Sequence, residues 1–191
     1  MKTVIQITFC LLLVFSCNKK DSENKIENPT LIKIGYYPTF NQSAETILNF
    51  NEKYLIFYSP TSYNPPPPNP PENGREFSKE EKLEFENYLA ERPKLNAFEA
   101  KLNTTEINEI KEIIRSFTSD DLNMNDIKPP NDGMFINIII RYSNGKVDEI
   151  NPMNAPKVNH RILYRKILDI IENKNSDKND SIIIRKIKEY H

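Results

Sequence analysis

Few side chains in this sequence are equipped for acid–base, nucleophilic or metal chemistry. The 191 residues include two histidines, His160 and His191, and two cysteines, Cys10 and Cys17. A serine or cysteine nucleophile needs a base beside it, and zinc asks for three or four converging ligands, so this set is poorly stocked for either. His191 is the last residue, and His160 lies beside Arg161 near the start of a predicted helix, where a surface histidine is expected. Carboxylates remain as candidate acids and bases, and Asp120, Asp121, Asp126 and Asp132 gather in one polar stretch. From Asp126 to Asp132 the alternating ligands and closing Glu of a calcium loop are missing. Solvated loop acids are therefore expected, with no catalytic residue, metal or cofactor. The weak candidate surface is where that loop could meet the Asn-rich segment from Asn151 to Asn159, placing Asp120, Asp121, Asp126 and Asp132 near Asn154 and His160.

Cys17 carries a separate chemistry. Lys2 precedes an apolar run from Val4 to Phe15, broken only by Gln6 and Thr8, and no acidic residue occurs before Asp21. That is the layout of an export signal, and the run is shorter than the roughly 20 apolar residues a membrane span needs. It leads into Val14-Phe15-Ser16-Cys17, which resembles the lipobox of bacterial lipoproteins: an aliphatic residue, a small residue before the cleavage point, then cysteine. Phe15 departs from the small residue most common at its position. The resemblance implies cleavage after Ser16, a diacylglyceryl thioether on Cys17 and an acyl group on its new amine. Two or three buried chains hold a protein far more firmly than one. Removal of residues 1–16 also removes Cys10, so no intramolecular disulfide is available to the exported chain. Lys19-Lys20 followed by Asp21 and Glu23 resembles the surface-export tag of Bacteroidetes-type lipoproteins, with Ser22 interrupting the acidic run. The expected location is the bacterial cell envelope, lipid-anchored at Cys17 in the outer membrane.

Composition limits what the remainder can be. With 26 basic and 27 acidic residues, the charge recruits neither nucleic acid nor an anionic surface. Four glycines and no tryptophan disfavour glycine-rich phosphate loops and repeat architectures. The expected organisation is a signal peptide at 1–16, a flexible tether at 17–30, and one domain at 31–172 with a Pro-rich loop at 60–77. A polar linker and short C-terminal helix or tail would occupy 173–191.

The elements follow from periodicity. Leu31 to Tyr37 reads as a strand with Ile32, Ile34 and Tyr36 on one face, and Glu45–Phe50 with Lys53–Tyr58 reads as a hairpin turning at Asn51-Glu52. The prolines from Pro60 to Pro71 exclude sheet and helix. Ser78 and Glu81 have capping-box spacing for a helix from Lys79 to about Glu91, with Leu83, Tyr88 and Leu89 turned inward. A short strand at 97–102 precedes the clearest amphipathic helix, carried by Ile107, Ile110, Ile113, Ile114 and Phe117. Met134 to Tyr142 is the most β-prone run, its even-numbered residues on one face, and Asn144-Gly145 turns it into a second strand ending near Ile150. Ile162, Leu163, Ile167, Ile170 and Ile171 mark a helix from Val158, and Ile182 to Ile187, capped by Ser181, is left between helix and strand.

This order predicts an α+β domain: an antiparallel sheet of about five to six strands with two to three helices packed on one face. The functional expectation is a non-enzymatic, lipid-anchored domain that binds an envelope protein or other envelope component. The alternatives are a structural or regulatory envelope protein without a specific ligand, and a hydrolase using the loop carboxylates.

Overall fold

The computed structural model describes residues 27–39, 41–61, 74–124, 133–152 and 156–190. Cys10, Cys17, prolines 65–68, Asp126, Asp132, Asn154 and His191 fall outside the described residues. Six strands form one antiparallel sheet: β1 (Pro29–Pro38), β2 (Ala44–Asn49), β3 (Tyr54–Tyr58), β4 (Phe98–Lys101), β5 (Met134–Tyr142) and β6 (Val147–Ile150), in the order β4-β3-β2-β1-β5-β6. The described helices are α1 (Lys79–Glu91), α2 (Thr104–Arg115), the single turn α3 (Ser119–Leu122), α4 (Val158–Lys174) and α5 (Lys178–Glu189).

Alternation decides which side of the sheet is the core. Successive residues of a strand point to opposite faces, so Ile32, Ile34 and Tyr36 of β1 share a face with Met134, Ile136, Ile138 and Ile140 of β5, all of them fully buried. The register pairs Ile34 with Ile138 on one side and Thr46 on the other, extending that inner face across the sheet. Three helices close it: Ile107, Ile110 and Ile114 of α2, Leu163, Ile167 and Ile171 of α4, and Ile183, Ile184 and Ile187 of α5 are buried in the same cluster. Each such side chain taken from water contributes about 1.5–3 kcal/mol before the entropy of ordering it is subtracted.

Four local expectations change. The strand begins at Pro29, inside the segment expected to be tether, because Pro29 pairs with Tyr142 while Glu27 is held by Lys146 Nζ at 3.0 Å. The segment from 173 is part of the domain: Asp177, not Ser181, caps α5 through the amides of Asn179 and Asp180, and three isoleucines dock it into the core. Asp180 is itself buried, accepting from Asn96 N at 2.8 Å and Asn175 Nδ2 at 2.6 Å. The β2–β3 turn is longer than the two residues Asn51-Glu52, running from Phe50 to Lys53 with Lys53 in the left-handed region (φ 54°), while Asn49 Oδ1 accepts from the amides of Asn51 and Glu52. Finally, α1 has its capping box but no described buried residue; Leu83 is 58% and Tyr88 49% exposed, so neither turns inward. Five charged carboxylates and few apolar side chains leave α1 without a continuous stripe, and its cap rather than a core face defines it.

Candidate functional site

The carboxylates and histidine singled out by sequence divide in two. Asp120 is exposed and its carboxylate faces Lys157 Nζ at 3.5 Å. Asp121 and His160 are buried, against the expectation of solvated acids and a surface histidine. The reason is capping. Thr118 opens α3, and Asp121, three residues on, returns its Oδ2 to the Thr118 amide and hydroxyl, each at 2.8 Å. Asn159 Nδ2 donates to the same oxygen at 2.9 Å, tying α3 to the start of α4. His160 occupies the third position of α4; its Nδ1 accepts from Lys157 N at 3.3 Å, so Nε2 carries the proton and donates to the Asp121 carbonyl at 2.9 Å. Phe117 packs edge-on against the ring at 5.4 Å. Burial lowers the affinity of the ring for a second proton, outweighing the opposing influence of the Asp121 carbonyl and carboxylate. Burial alone would raise Asp121, but its bonds from Thr118 and Asn159 hold it below the ordinary carboxylate value. Both ring nitrogens are engaged, and the pair works as a lock between two helix starts.

A second cluster, which sequence reading did not anticipate, lies on the outer face of the sheet. The register sets Tyr58 opposite Glu45, Glu45 opposite Gly35 and Gly35 opposite Asn137, and Asn137 Nδ2 donates to Asn151 Oδ1 at 2.7 Å. Five residues from widely separated parts of the chain thus form one row across the strands. Glu45 is its centre of charge and is only 4% exposed. Tyr37 Oη donates to Glu45 Oε1 at 2.5 Å, the Tyr58 hydroxyl donates to Oε2, and Lys33 Nζ lies 2.8 Å from Oε2. Tyr37 reaches Glu45 because Gly35 lies between them: a Cβ on Gly35 would come within 2.6 Å of Tyr37 Cζ, so the phenol rests on bare backbone. Beside it Phe135 stacks at 5.7 Å with 24° between the planes, and both rings keep part of their surface accessible.

The electrostatics of the row are saturated. Burial would raise Glu45, yet donation from Lys33, Tyr37 and Tyr58 outweighs it and keeps the carboxylate ionised below its ordinary value. The hydrogen bond to Glu45, then burial and the carboxylate charge, push Tyr58 up to about 12. Burial, with the same bond and charge, carries Tyr37 higher still. At neutral pH the two phenols are protonated donors and the carboxylate has its oxygens occupied. The row is suited to presenting rings and polar atoms rather than to moving a proton.

Among the described residues no three His, Cys, Asp or Glu side chains converge as a metal site, and no helix is long and apolar enough to cross a membrane. Asp126, Asp132, Asn154 and Cys17 are outside the described residues, so the loop surface proposed from sequence is represented only by Asp120, Asp121 and His160. No protein-family model, curated protein or solved structure matches this chain.

Proposed function

We propose that this chain is the precursor of a bacterial envelope lipoprotein, anchored in the outer membrane through lipid on Cys17, whose folded domain binds another envelope component without catalysing a reaction. The observation that carries the anchor is Val14-Phe15-Ser16-Cys17 at the end of a short apolar run behind a single positive charge. The binding role is supported by the outer-face row, a preorganised set of polar groups flanked by two accessible rings. Its rigidity favours recognition because the side chains are already ordered and little entropy is lost when a ligand arrives.

Incorporation of radiolabelled palmitate tests the anchor: label is expected on the wild-type chain and absent after Cys17→Ala. An unlabelled wild type overturns the anchoring half. For the binding half, material cross-linked to the protein in intact membranes is compared between wild type and Tyr37→Ala. A component lost in the variant supports the reading; identical or empty profiles overturn it.

A further inference from the structure

We infer that the outer-face row is a binding site for a neutral glycan chain, an inference that rests on the proposal that the domain binds an envelope component. A sugar ring presents an apolar C–H face and a rim of hydroxyls, so it is recognised by a flat aromatic surface bordered by uncharged donors and acceptors. The row has that form. Tyr37 lies across Gly35 where a side chain would otherwise stand, and Phe135 stacks against it with an offset, giving two part-exposed rings on the outer face of the sheet. While donating hydrogen bonds to Glu45, the Tyr37 and Tyr58 oxygens keep lone pairs for hydroxyl donors. Asn137 continues the polar edge, its Nδ2 donating to Asn151 Oδ1 at 2.7 Å and to Glu149 Oε1 at 3.4 Å.

Charge selects among ligand classes. Lys33 is paired with Glu45 at 2.8 Å, so the pair offers an anion no uncommitted cation, and Glu45 has three donors on it; the one further carboxylate touching the row, Glu149, stands at its edge and accepts from Asn137 Nδ2 at 3.4 Å. A protein partner would bury this charged centre, whereas interface centres are depleted in charge and built on apolar anchors. A neutral, hydroxyl-rich polymer meets the row without disturbing it.

The test is native electrophoresis of the full-length, detergent-solubilised protein through gels containing dextran, xylan, mannan, galactan or mixed-linkage glucan, with heparin as the anionic arm. Retardation by at least one neutral polysaccharide is expected, weakened about tenfold by Tyr37→Ala or Phe135→Ala and less by Tyr37→Phe, which keeps the ring but not the hydroxyl. A thermal transition recorded for each variant establishes that it is folded; should Tyr37→Ala not fold, Phe135→Ala decides, since Phe135 contributes a ring and no polar bond. Mobility unaffected by every neutral polysaccharide, retardation by heparin alone, or full retardation of both folded alanine variants overturns the inference. If a Tyr37-dependent protein is instead cross-linked in membranes, the glycan is wrong while the binding role stands; if neither is found, both fall.

Discussion

Two clusters in this molecule are built from the same parts, a carboxylate, hydroxyl and amide donors and an aromatic ring, yet they do different work. In the inner one Asp121 and His160 join the starts of α3 and α4, and Phe117 closes over the imidazole. In the outer one Glu45 gathers Lys33, Tyr37 and Tyr58 on the sheet face turned away from the core, leaving ring surface accessible. The inner cluster consumes its polar atoms in joining elements that need joining. The outer cluster links strands that the β1–β2–β3 ladder already joins, and its ordered side chains face outward. Whether such a cluster is consumed in joining elements or left facing outward depends on the side of the sheet, not on its chemistry.

The contrast can be broken by substitution. Asp121→Ala removes the acceptor of three donors in a buried setting and should cost about 3 kcal/mol, read from the urea midpoint. Glu45→Gln, which keeps one acceptor oxygen for its donors, should cost about 2 kcal/mol, with Tyr58 falling from about 12 toward 10.0 in a spectrophotometric titration. A Tyr58 that does not move would detach the phenol from the carboxylate.

The remaining tests sharpen rather than break it. His160 in the folded protein takes its proton below its ordinary 6.5, so the unfolded chain binds that proton first as pH falls. Its contribution is complete above about 6.5 and is lost below that, at up to about 1.4 kcal/mol per pH unit until the folded ring titrates. Unfolding measured across that range in wild type and His160→Gln should show the slope only in the wild type. Gly35→Ala should displace the Tyr37 ring and cost about 1 kcal/mol, with one phenol returning toward 10.0. Leu83→Ser on α1 should change stability by less than about 0.5 kcal/mol, since that side chain is already 58% exposed.

Local signals were read well and long-range ones were not. The period of two in Met134–Tyr142, the Asn144-Gly145 turn and the isoleucine spacing of α2 each state a buried face within a dozen residues, and the structure has those faces. The α+β sheet with helices on one side follows from them. The burial of His160 depends on Asp121, 39 positions away, and nothing near His160 announces it. Glu45 shows the same limit more sharply. Its parity places it opposite the core, but Tyr58, Gly35 and Asn137 become its neighbours only once three strand registers are known. Leu83 and Tyr88 misled because apolar side chains on a capped helix suggest an inner face, although α1 sets them among carboxylates.

The direction of β1 has a mechanical consequence. Pro29 and Tyr37 stand at opposite ends of that strand, about 27 Å apart at the usual rise. Under the proposed anchoring at Cys17, the tether would reach the domain at the Pro29 end of the strand, and the phenol of Tyr37 would stand at the other.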